Sequence, residues 1–162
     1  MKTVLALIVA AGIIYYLVSN ANNEKNAEQN IALGSAFLAE NKSKEGVKTT
    51  TSGLQYLVLT PSDKTQHPKA NDKVKVHYHG TLIDGTVFDS SVDRGESISF
   101  RLDQVIKGWS EGLLLMVVGE KTRFFIPSEL GYGNRNTGKI EGGSVLIFDV
   151  ELIAIDSLNS NK

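Results

Sequence analysis

The chain contains no cysteine among its 162 residues. That excludes disulfides, thiolate metal sites and a cysteine nucleophile, and it leaves the redox compartment open. An excess of one charge is also missing. Seventeen Lys and Arg stand against eighteen Asp and Glu, a net charge of -1 that gives nucleic acid no electrostatic footprint. Histidine occurs only three times. His77 and His79 lie two apart on one strand face and could share a metal, but His67 sits away in the loop "TQHPKAN", so a solvated face is the plainer reading. The glycine-rich "GYGNRNTGK" lacks the G-K-[ST] ending of a phosphate loop, and no serine has the nucleophile-elbow pattern. Neither a cofactor nor a metal is expected.

Long apolar runs are scarce outside the N-terminus, where "MKTVLALIVAAGIIYYLV" sets Lys2 ahead of an uncharged stretch over residues 4–18. This reads as an export segment. Its fifteen residues fall short of the roughly 20 that span a bilayer, and Ser19 and Ala21 permit cleavage after Ala21. Tyr15 and Tyr16 sit where the interfacial aromatics of an anchor would sit. Residues 1–21 are therefore a signal peptide or a membrane anchor, with both alternatives open. No cysteine follows the run, so a lipoprotein is excluded, and the rest of the chain is expected outside the cytoplasm.

Residues 22–50 are expected to hold a polar spacer and a short helix: "NANNEKNAEQ", Asn20 to Gln29, has too little hydrophobicity for a core and reads as the spacer. "IALGSAFLAEN" then predicts a short amphipathic helix, with Leu33, Ala36, Phe37 and Ala39 as its apolar residues. From residue 51 to 156 the period changes to two. "LQYLVL", "KVKVHYHGTLI", "SISFRL", "TRFFIP" and "VLIFDVELIAI" predict strands separated by turns such as Asp84-Gly85 and Gly142-Gly143. Val74, Val76 and Tyr78 share one face, as do Leu146, Phe148, Val150 and Leu152, which marks an antiparallel sheet with one buried and one wet face. The buried face requires a cover, and only "VIKGWSEGLLLM" has helical spacing. The result is an α+β domain, followed by a disordered tail at 157–162.

The single tryptophan, Trp109, lies in that helix between Gly108 and Gly112, which we read as leaving room around the indole. Tyr78, Phe88, Ile98, Val105, Ile106, Tyr132, Ile140 and Phe148 also lie close to loops, where core residues are less expected. Tyr132 stands between two glycines. Asp89 follows Phe88 directly, and a buried carboxylate requires partners, which Arg94 and the Tyr78 hydroxyl can supply at the rim of an apolar hollow.

The motifs "SGLQY", "VHYHGTLIDGTVFDSS", "VIKGWSEGL", "GYG" and "LIFDVELI", in that order from about Ala36 to Ile155, resemble the FKBP-type peptidyl-prolyl isomerases of the bacterial Mip-like branch. The resemblance implies five or six antiparallel strands wrapped around one short helix. It further implies an isomerase of the periplasm or cell envelope that acts on proline-containing polypeptides of exported proteins and is open to macrolide inhibitors. Asp89, Tyr132, Phe88 and Tyr78 would be catalytic, and Trp109, Val105, Ile106, Phe148, Ile98, Ile140 and Arg94 would bind substrate. A non-catalytic proline-binding module or holdase using the same pocket is the alternative. Three departures stand out: Ile98 where a phenylalanine is frequent, "IEGG" where proline often follows the isoleucine, and about ten polar residues in place of a long dimerising helical region. The last favours a monomer, with or without a membrane tether, although dimerisation through the short helix stays open.

Overall fold

The computed structural model describes residues 2–156, so the expected tail at 157–162 lies outside the described residues. Helix α1, Lys2–Asn41, is continuous for 40 residues. The expected spacer is therefore helical, and the separate short helix is its last part. Ala, Glu, Lys and Gln in "NANNEKNAEQ" are good helix formers, and contacts with the following domain supply what the stretch cannot bury by itself. The packed stripe also differs from the expected one. Ala27, Gly34 and Asn41 are buried, with Ile31, Phe37 and Leu38 partly so, whereas Leu33, Ala36 and Ala39 face solvent. Asn41 holds the end of α1 by donating to Gln55 Oε1 at 2.9 Å, and Gln55 Nε2 donates back to the Leu38 carbonyl at 2.8 Å. Among the described residues no helix is long and apolar enough to cross a membrane.

Seven strands follow: β1 Lys48–Thr49, β2 Gln55–Thr60, β3 Lys73–Thr81, β4 Val87–Ser90, β5 Ile98–Arg101, β6 Lys121–Ile126 and β7 Leu146–Asp156. Each of the five expected strands is present, and the two unforeseen ones, β1 and β4, are short. All pairings are antiparallel in the order β1-β2-β6-β7-β3-β4, with β5 sharing the outer edge of β3. Two short helices complete the domain, α2 Ser91–Arg94 and α3 Lys107–Leu115.

The period-two pattern of β3 is realised: Val74, Val76, Tyr78 and Gly80 are buried while the residues between them are more open. With Phe124, Ile126, Leu146, Phe148, Val150 and Leu152 they form the concave inner face, and α3 supplies Trp109 and Leu113 to the same core. The outer face is only partly wet, because the end of α1 lies on it and Phe37 meets Phe125 at 6.0 Å between centroids. Gly108 and Gly112 serve a purpose other than the expected one. A Cβ at Gly108 would stand 2.5 Å from Ile126 Cγ2, and one at Gly112 would stand 2.6 Å from Phe124 Cε1. These glycines let α3 settle onto β6; they do not clear space for the indole.

Candidate active site

The site begins where β4 ends. Ser90 caps α2, its Oγ accepting from the Asp93 N–H at 3.1 Å, and Gly95 closes the turn at φ 69°, a left-handed conformation that glycine adopts freely. This single turn brings Arg94 back over Asp89. Arg94 Nη1 donates to Asp89 Oδ1, and the Tyr78 hydroxyl donates to Asp89 Oδ2. Arg94 Nη2 also donates to the Tyr78 oxygen at 3.0 Å, which closes a three-membered ring of hydrogen bonds.

The charges respond to that ring. Desolvation raises the Asp89 pKa, but donors from Tyr78 and Arg94 outweigh it and hold the carboxyl below its ordinary range. Burial pushes the Tyr78 phenol up, and the neighbouring carboxylate adds to the rise. The two acceptors hold Arg94 even more firmly protonated than usual. Asp89 is thus an oriented anion at neutral pH, with its side chain 46% exposed.

Beside it opens a hollow of about 580 Å³. Trp109 forms its floor, 6% exposed, with Tyr78, Phe100 and Phe148 around the indole at 5.2, 5.1 and 5.0 Å between centroids. Phe88 meets Phe148 edge-on at 5.2 Å. These tilted and T-shaped contacts suit the aromatic quadrupoles. Trp109 Nε1 is the one buried side-chain polar atom without a partner among the described residues. An unpaired donor of this kind costs about 1–3 kcal/mol.

The structure brings the candidate residues together. Tyr78, Phe88, Asp89, Ile98, Val105, Ile106, Trp109, Tyr132, Ile140 and Phe148 all line this hollow, and Arg94 stands behind Asp89 without lining it. Sequence reasoning missed Phe100, Gln104 and the segment Thr137, Gly138 and Lys139. Phe100 was legible, since it shares the strand face of Ile98 two residues on, and its ring gives this wall the aromatic surface that Ile98 lacks. Gly80 was missed as well: a Cβ there would stand 2.7 Å from Phe88 and 2.8 Å from Phe148, so the two rings close over a bare backbone.

A second hollow, of about 510 Å³, lies on the outer face of the sheet between the end of α1 and β6 and β7. Its polar side holds the Arg123–Asp149 pair, bonded at 2.6 and 2.8 Å, so the guanidinium is already committed. On the same face His77 Nδ1 lies 3.1 Å from Ser91 Oγ and His79 Nδ1 lies 2.9 Å from Ser90 Oγ. No group of three metal-ligating side chains forms among the described residues. The aromatic hollow beside Asp89 is the place where apolar surface and an oriented charge coincide.

Comparison with known proteins agrees with this geometry. The family model described as FKBP-type peptidyl-prolyl cis-trans isomerase matches residues 64–153, and the one described as the domain amino terminal to it matches residues 12–58. An FKBP-type peptidyl-prolyl cis-trans isomerase FkpA of Aeromonas hydrophila is 55% identical over 139 residues, which are 86% of this chain and 52% of that protein. The FKBP-type 22 kDa isomerase of Escherichia coli K12 is 51% identical over 125 residues, 76% of this chain and 60% of its own length. The chain thus spans about half the length of several curated relatives it matches. Among solved structures, FkpA from Escherichia coli superposes with a TM-score of 0.89 at 41% identity, covering 94% of this chain and 71% of that one. A peptidyl-prolyl cis-trans isomerase from Pseudomonas syringae gives 0.74 at 39% identity, covering 80% and 96%. Motifs, sheet topology, pocket and relatives converge, and the chain belongs to the FKBP-type peptidyl-prolyl cis-trans isomerase family.

Proposed function

We propose that the chain accelerates cis–trans isomerisation of X-Pro bonds in exported polypeptides. The observation that carries this reading is the pairing of an aromatic hollow, floored by Trp109, with an Asp89 carboxylate fixed by Tyr78 and Arg94 at its rim. Rotation about the prolyl amide breaks no covalent bond, but it forfeits resonance and crosses a barrier of roughly 18–20 kcal/mol. Unassisted, it takes tens to hundreds of seconds. The planar amide has a larger dipole than the twisted one, so a water-poor hollow disfavours the ground state relative to the transition state. Each tenfold acceleration requires about 1.4 kcal/mol of that difference.

The residues then divide the work. Trp109 supports the proline ring, and Phe88, Val105, Ile106 and Phe148 wall it in. Tyr132 donates its hydroxyl to a substrate carbonyl, Asp89 faces the twisting carbonyl carbon, and the Ile106 N–H holds the chain beyond the proline. Phe100 keeps the wall at Ile98 broad enough for a macrolide such as tacrolimus to compete. The apolar stretch before Ser19, and a relative named outer membrane protein MIP from Legionella longbeachae at 44% identity, support a periplasmic or envelope location with α1 cleaved or tethered at its start.

A protease-coupled assay on a proline tetrapeptide, with and without tacrolimus, tests the activity. Tacrolimus-sensitive acceleration is expected; a folded chain that binds the peptide without accelerating it is instead a binding module or holdase. The reading takes the chain as a monomer, which light scattering checks. The residues expected to form a polar spacer are part of α1, so the helix reaches well beyond the short stretch from Ile31.

A further inference from the structure

One wall of the proline hollow is a loop backed by α1. Thr137, Gly138, Lys139 and Ile140 line the hollow, and the turn is closed by reciprocal bonds between Thr137 and Ile140 at 2.8 and 2.9 Å. A few residues on, the loop passes directly beneath the helix. Asn30 Nδ2 donates to the Gly142 carbonyl at 2.9 Å, while the Gly142 N–H donates to Asn136 Oδ1 at 2.8 Å. Gly143, at φ 77°, runs so close to the Ala27 carbonyl that any Cβ there would collide with it, and Ala27 is 2% exposed. A Cβ on Gly34 would likewise stand 2.6 Å from Val145 Cγ2, so helix and loop meet through small residues with no slack.

We propose that Ala27 and Asn30 are positioning residues for the substrate pocket: α1 fixes where the Ile140 wall stands, and thereby how tightly the hollow closes on a proline. This rests on the isomerase reading above. The loop carries "EGG", Glu141 to Gly143, after Ile140, and two glycines in succession give its backbone more freedom than other residues would. Within its own domain the loop is tied by the Gly143 N–H to the Gly133 carbonyl at 2.8 Å and by the Gly142 N–H to Asn136; from outside, the Asn30 amide bonds Gly142 and Ala27 packs on Gly143.

The test compares Asn30→Ala with Asn41→Ala in the full chain. Asn41 ties the same helix to Gln55 on β2, away from the loop, and serves as the control for a role in stability alone. Losing one hydrogen bond in the wall is expected to raise KM for a proline tetrapeptide about three- to tenfold in Asn30→Ala with little change in kcat, while Asn41→Ala lowers the melting temperature and leaves KM alone. Asn136→Ala, which cuts the loop side of the brace, should resemble Asn30→Ala. Equal KM in all variants, or an equal rise in Asn30→Ala and Asn41→Ala, overturns the proposal. If the unmodified chain turns nothing over, the isomerase reading fails separately. Peptide Kd, followed by Trp109 fluorescence, then decides the brace by the same comparison.

Discussion

The Trp109 indole stands edge-on to the Phe148 ring, 5.0 Å between centroids and 82° between planes, although one residue belongs to a helix and the other to the last strand. Removing the indole leaves Tyr78, Phe100 and Phe148 around a gap. Trp109→Ala should cost roughly 3 kcal/mol in urea unfolding, the low end for such deletions, because it also removes the unpaired Nε1–H. A loss below about 1 kcal/mol would show that the floor is not packed as described.

Asp89 is oriented by two donors and is half exposed, so its work is electrostatic more than structural. Asp89→Ala should lower kcat/KM at least about tenfold, or about 1.4 kcal/mol of transition-state stabilisation, with the fold retained and the melting temperature only modestly lowered by the lost bonds to Tyr78 and Arg94. Unaltered kcat/KM in the folded variant removes Asp89 from the mechanism.

Tyr78→Phe deletes one of the bonds that depress the Asp89 carboxyl. The folded pKa of Asp89 lies below its unfolded value, so its contribution to stability is present above about pH 4 and is lost as pH falls through the folded value. In Tyr78→Phe that folded value should move up toward the ordinary one, so the stability lost on acidification should still begin near pH 4 but be complete at higher pH and amount to less. Carbon-detected NMR titration of the Asp89 carboxyl reads the shift directly, and an unmoved titration midpoint contradicts the hydrogen-bond ring.

Gly112→Ala sets two magnitudes against each other. Alanine gains about 1 kcal/mol in helix propensity, whereas its methyl would meet Phe124 at 2.6 Å, an overpacking that costs about 1–3 kcal/mol. The contact should win, giving a lower denaturation midpoint. A variant more stable than the parent would mean that α3 does not sit on β6 through this glycine.

Much of the domain could be read from residue order. Alternation in β3 and β7 separated inner from outer faces correctly because side-chain direction in a strand follows from the backbone alone. Asp89, Arg94 and Tyr78 could be grouped, two of them lying five residues apart, although the expected burial of the carboxylate does not hold: Asp89 is half exposed at the rim. Phe100 shares one strand face with Ile98, so the same alternation makes it legible. The flanking glycines of Trp109 could not be read: what a missing Cβ makes room for depends on which strand lies opposite, and β6 is not adjacent in sequence. The polar stretch ahead of Ile31 was misread for the same reason. Its composition cannot bury a core, so its helical state depends on Ala27, Asn30 and Gly34 meeting a loop more than a hundred residues away.

The sequence by itself determined the alternation, the turn chemistry, the lone tryptophan and the family, all of which rest on local geometry or on residue order. Only the tertiary structure decided that α1 runs unbroken and lies behind the wall of the aromatic hollow. That arrangement depends on close approach between small residues distant in the chain, and composition carries no record of which surfaces will meet.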